Sequence, residues 1–183
     1  MIPTELSEKQ KIELASAEGF VAYYNTKCGT SYQIYKVAGE GEIPDVLARD
    51  VQGNELGMEV TLTEDRAKDI ASTLGRSEHK SGTALAAHLQ LVKQGKEELR
   101  FCTLAGNVMD ILLQRIKAKL NMRYGRNTAL IVRDTSGVPW SWDDVAHLVQ
   151  SNLAGLTVPF DRGIWLVSRD KESITNLFPE SSK

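Results

Sequence analysis

Two carboxylates, Asp45 and Glu59, are the residues of this sequence best placed to do chemistry. Each is the lone acid of an apolar extended run, Pro44–Arg49 and Leu56–Leu62. Between the runs lies Asp50-Val51-Gln52-Gly53-Asn54, a turn sequence in which Asn and Gly tolerate the left-handed backbone of a tight hairpin. The runs are therefore expected to pair antiparallel. A carboxylate inside Met58-Glu59-Val60 is costly to bury unless a cation or hydrogen bonds compensate it. Two carboxylates on neighbouring strands could share a hard divalent ion, which prefers oxygen ligands. The competing account makes both acids ordinary polar groups, exposed or hydrogen-bonded on a half-solvated sheet.

The elements around the acids follow from periodicity. Residues Thr4–Asn25 read as a helix capped by Ser7, with Leu14, Ala17, Val21 and Tyr24 as its buried stripe. Gly29 ends it, and Tyr32–Val37 reads as a strand. Gly39 and Gly41 then loosen the chain before Pro44-Asp45, so the first acid stands where a loop enters a strand. In the next strand Glu59 and Thr61 share one face, while Met58 and Val60 point into the core. Stretches 64–74 and 82–94 read as helices flanking a polar segment, Arg76–Gly82. Asn107–Met122 is a clearer helix, with Val108, Leu112 and Ile116 on an apolar face and Asp110, Gln114 and Lys117 on a polar stripe. Thr128–Arg133 is a strand, Trp140–Leu153 a helix, and Gly163–Ser168 the last strand.

Pro44-Asp45, then Glu59-Val60-Thr61 after an apolar lead-in, resembles the core motif of the PD-(D/E)XK nuclease superfamily, which includes restriction endonucleases and Holliday-junction resolvases. That pattern has an acid on one strand and acid, any residue, lysine on the next; here Thr61 stands at the lysine position. The resemblance implies an α/β fold, a restriction-endonuclease-like mixed central β-sheet flanked by helices. It also implies a Mg²⁺ or Mn²⁺ ion held by Asp45 and Glu59, assisted by an acid of the first helix, Glu13 before Glu18. Some members of the superfamily carry the missing lysine, or a glutamine, on the helix after the acid-bearing strands. Lys117 and Gln114 are therefore the expected catalytic partners.

The resemblance implies hydrolysis of phosphodiester bonds, in DNA before RNA. Two other readings stay open: a nuclease fold retained for nucleic-acid binding without cleavage, and a protein-interaction domain such as an immunity or phage accessory protein. Charge is unevenly spread along a chain of net charge −2: residues 66–126 hold twelve Lys or Arg against five Asp or Glu, and the remainder ten against nineteen. A basic middle suits contact with phosphate. The 183 residues suggest a single domain over 1–178 with a frayed tail at 179–183, and a homodimer is one arrangement open to it. The polar start, the lack of an apolar membrane span, and Cys28 and Cys102 outside any metal or redox spacing lead us to expect a cytoplasmic protein with reduced thiols and no membrane partner. His79 and His88 lack a ligand cluster. No GxxxxGK loop, G-x-S-x-G elbow or dinucleotide fingerprint is present.

Overall fold

Ser7 starts the first helix by a reciprocal pair of hydrogen bonds. Its hydroxyl accepts from the Gln10 amide at 3.2 Å, and the Gln10 side chain accepts from the Ser7 amide at 3.0 Å. The helix that follows, α1 (Glu8–Cys28), ends where Gly29 adopts φ 65° and its N–H bonds back to Asn25. In the computed structural model, residues 5–39, 41–63, 101–134, 141–168 and 173–180 are described, without the side chains of residues 8 and 101–108. The expected helices at 64–74 and 82–94, the segment Arg76–Gly82, His79 and His88 lie outside these residues.

Among the described residues the remaining elements are β1 (Gln33–Val37), β2 (Val46–Arg49), β3 (Glu55–Leu62), α2 (Phe101–Leu120), β4 (Thr128–Arg133), α3 (Trp142–Leu153), β5 (Ile164–Val167) and β6 (Ile174–Phe178). The six strands form one sheet in sequence order. The first three make an antiparallel meander, β4 and β5 run parallel to β3, and β6 returns antiparallel. The fold is α/β, a mixed sheet flanked by helices. The sequence reading makes Gly163–Ser168 the last strand; β6 adds one. Its five residues are mostly half-buried at a sheet edge, so they carry no strong apolar run.

The hairpin joining β2 to β3 closes on Asp50, whose carboxylate accepts from the amides of Gln52 and Asn54, with Gly53 at φ 88°. Strand β4 shows how the layers are shared. Ala129 and Ile131 pack with Phe20 and Tyr24 of α1, whereas Leu130 and Val132 pack with Ile116 of α2 and Val149 of α3. The sheet is therefore buried on both faces at β3 to β5, which is why those strands read as near-continuous apolar runs. Pro179 and Glu180, expected in a frayed tail, fold back: the Glu180 carboxylate accepts from the Tyr24 hydroxyl at 3.2 Å and pairs with Arg162 at 3.4 Å. No helix among the described residues is long and apolar enough to cross a membrane.

One close approach sets where Asp45 sits. A Cβ on Gly57 would lie 2.8 Å from Cγ of Pro44 and 3.1 Å from Oγ1 of Thr128. The proline ring is rigid, so the chain leading into Asp45 needs a residue without a side chain opposite. Gly57→Ala is expected to destabilise the protein by about 1–3 kcal/mol through overpacking, read as a lower urea midpoint at unchanged slope.

Candidate functional site

Asp45 is positioned from both sides. Its carbonyl accepts from the Ala38 amide at 2.8 Å, and its carboxylate Oδ2 accepts from the Val60 amide at 2.8 Å. Strand β2 pairs with β3 through Val46↔Met58. Asp45 immediately precedes β2, and its carboxylate reaches the backbone of β3 at Val60, the residue after Glu59.

Glu59 is only 1% exposed. It therefore does not lie on a half-solvated sheet. Alternation along β3 sends Met58 and Val60 into the cluster beneath α1, and Glu59 pairs in register with Leu130, which belongs to the cluster under α2 and α3. There Lys119 Nζ of α2 meets Glu59 Oε1 at 2.5 Å. The other oxygen, Oε2, is buried and has no hydrogen-bond partner among the described residues. A buried carboxylate oxygen left without a donor is uncommon and calls for a cation or an ordered water.

Glu13 brings a third carboxylate. It is 5% exposed on α1, and its side chain is paired with Lys9 at 3.1 Å. Burial pushes its carboxyl above the ordinary value and the negative charge of Asp45 pushes further, against the opposing pull of Lys9. Glu59 is likewise raised, first by burial, with the Lys119 hydrogen bond opposing and Asp45 reinforcing. The Tyr124 phenol is raised above its usual range by burial and then by Glu59 and Asp45. Between α1 and the loop after β1 a cleft of about 380 Å³ is lined by Lys9, Gln10, Glu13, Gly39 and Asp45 among others.

Of the residues singled out in the sequence, Glu13 and Asp45 line this cleft, and Glu59 is near enough to feel the charge of Asp45 and to act on Glu13. Glu18, five residues past Glu13 and so on another side of α1, is exposed. Gln114 and Lys117 are exposed on α2, and Lys117 Nζ lies 3.4 Å from Asn152 Oδ1 of α3 rather than at Glu59. Thr61 is buried on β3. The cation that reaches the acids is Lys119, which sequence reasoning did not select. Its signal was there: Lys119 lies seven residues after Leu112 and three after Ile116, so it falls on the apolar stripe of α2. A lysine on a buried stripe is an anomaly, whereas Lys117 sits on the solvated one.

A scan against protein families and searches of curated proteins and solved structures found no match to this chain. Among the described residues no group of three or more His, Cys, Asp or Glu side chains stands ready to hold a metal ion. The local carboxylates are Asp45 and Glu59, with Glu13 contributing charge. Such an open set suits Mg²⁺, which usually takes one or two carboxylates and completes its shell with water and substrate phosphate. The unpartnered Oε2 of Glu59 fits that requirement.

Proposed function

We propose that this chain is a divalent-metal-dependent nuclease that hydrolyses phosphodiester bonds, DNA before RNA, with a restriction-endonuclease-like fold. The observation that carries the reading is the buried Glu59, within electrostatic reach of Asp45, with one oxygen on Lys119 and the other unpartnered among the described residues. The order of helix, three-strand antiparallel meander, helix and parallel strand supports the same reading. Lys119 supplies the ammonium that the pattern's lysine would have supplied from the position of Thr61.

Asp45 and Glu59 would hold Mg²⁺ or Mn²⁺, and such an ion acidifies a bound water and polarises the phosphate. Asp45 is kept in place by the Val60 amide, so its carboxylate needs no rearrangement to serve as a ligand. Lys119, held at Glu59, would stabilise negative charge developing on the attacked phosphate. Glu13, buried and close enough to interact electrostatically with Asp45, adds to the negative field that attracts a cation.

The test is incubation of the purified protein with single- and double-stranded DNA in Mg²⁺, Mn²⁺ or EDTA, beside Asp45→Asn. Cleavage by the parent protein should require metal and be lost in the variant. Cleavage that survives in EDTA or in Asp45→Asn would reject the site. Metal-independent DNA binding with no cleavage under any condition would instead select a binding module.

A further inference from the structure

Two lysines reach the carboxylates, and they are not equivalent. Lys119 is held at Glu59, its side chain only 26% exposed. Lys9 is 76% exposed, yet its Nζ lies 3.1 Å from a Glu13 carboxylate whose side chain is 7% exposed. It stands on the first turn of α1 and lines the cleft with Asp45. The buried partner cannot turn away, whereas a hydrated ammonium on a flexible four-carbon stem can.

Resting on the nuclease reading above, we propose that Lys9 is a displaceable counter-ion: its ammonium balances Glu13 until a divalent cation joins Asp45 and Glu59, and it then moves to a non-bridging oxygen of the phosphodiester in the cleft. Charge balance gives the direction. Ionised Glu13, Asp45 and Glu59 with Lys9 and Lys119 leave the metal-free site one negative charge in excess. A divalent ion turns that into one positive charge in excess, which one phosphodiester neutralises. Of the two ammonium groups, only the exposed one is free to follow the charge, and it stands at the mouth where substrate enters. Oε2 of Glu59, buried and without a hydrogen-bond partner among the described residues, is a second point at which the cluster can take a cation.

Lys9 thus couples metal and substrate. The experiment titrates Mn²⁺ into the full chain and into Lys9→Met by calorimetry. It also follows binding of a short DNA duplex across a salt series in Ca²⁺ or EDTA. Removing a competing cation should tighten Mn²⁺ by about 2- to 5-fold, the scale of one exposed ion pair. In Ca²⁺ the salt slope for DNA should fall by about one phosphate contact in the variant, while in EDTA the two proteins should coincide. Unchanged or weaker Mn²⁺ binding would overturn the role of Lys9 and leave the nuclease reading standing. So would a slope change that is the same with and without metal, which marks an ordinary surface contact. Absence of Mn²⁺ uptake by both proteins would remove the nuclease reading, and this coupling with it.

Discussion

Replacing Glu59 by glutamine is expected to cut metal-dependent cleavage by at least about 10³-fold and yet make the metal-free protein more stable at neutral pH. The first half rests on the proposed nuclease site, in which Glu59 would be a ligand that carries charge. The second follows from burial. The Glu59 carboxyl is raised above the usual 4.5 because desolvation outweighs the pull of Lys119. A carboxyl with a raised folded pKa binds its proton more readily in the folded chain. Its contribution to stability therefore falls as pH rises from about 4.5, and the deficit is complete above the folded pKa. Glutamine keeps the shape without the charge, and Lys119, a quarter exposed, is left able to hydrate. The gain should be on the order of 1 kcal/mol, roughly 2–4 °C in Tm for a chain of this size. It should vanish below about pH 4.5, where the parent glutamate is itself protonated. Thermal melts from pH 4 to pH 8 decide the matter. If Glu59 served only as half of a structural ion pair, the variant would be less stable at pH 7.

Lys119→Met should have the opposite effect on stability and a similar one on activity. Removing one partner of a buried pair leaves the other charge uncompensated, at about 3–5 kcal/mol when the charge persists. Acidification should relieve that loss as Glu59 takes up a proton, and Mg²⁺ should relieve it at neutral pH by binding the freed carboxylate. Cleavage should fall by about 10²–10³-fold, the scale for losing one preorganised stabiliser of the transition state. The two roles separate in the double variant Glu59→Gln/Lys119→Met. Denaturation should show most of the stability recovered, because neither position of the pair carries a charge, while cleavage stays lost. If the single variant cleaves like the parent protein, Lys119 is a structural counter-ion and the site lacks its cation.

Much of the fold was written locally. Ser7 with Gln10, Gly29, the Asp50–Asn54 turn and the apolar run Thr128–Arg133 each fix an element through neighbours a few residues away. The antiparallel pairing of the two acid-bearing runs was legible for the same reason: the hairpin brings Val46 opposite Met58, next to Asp45 and Glu59. Strand β6 was less legible, because a short edge strand has little apolar pattern to show.

What the sequence alone determined, then, is the alternation of helices and strands and the hairpin that carries the acid-bearing runs. Tertiary structure decided which distant charges join them. Glu13 and Glu18 belong to one helix, as do Lys117 and Lys119, and helical geometry places the members of each pair on different sides. Which side faces the acids depends on how α1 and α2 pack across the sheet, and that packing is a sum over contacts far apart in the chain. It brings Glu13 and Lys119 inward, leaves Glu18 and Lys117 in solvent, and puts Lys9 at the mouth of the cleft.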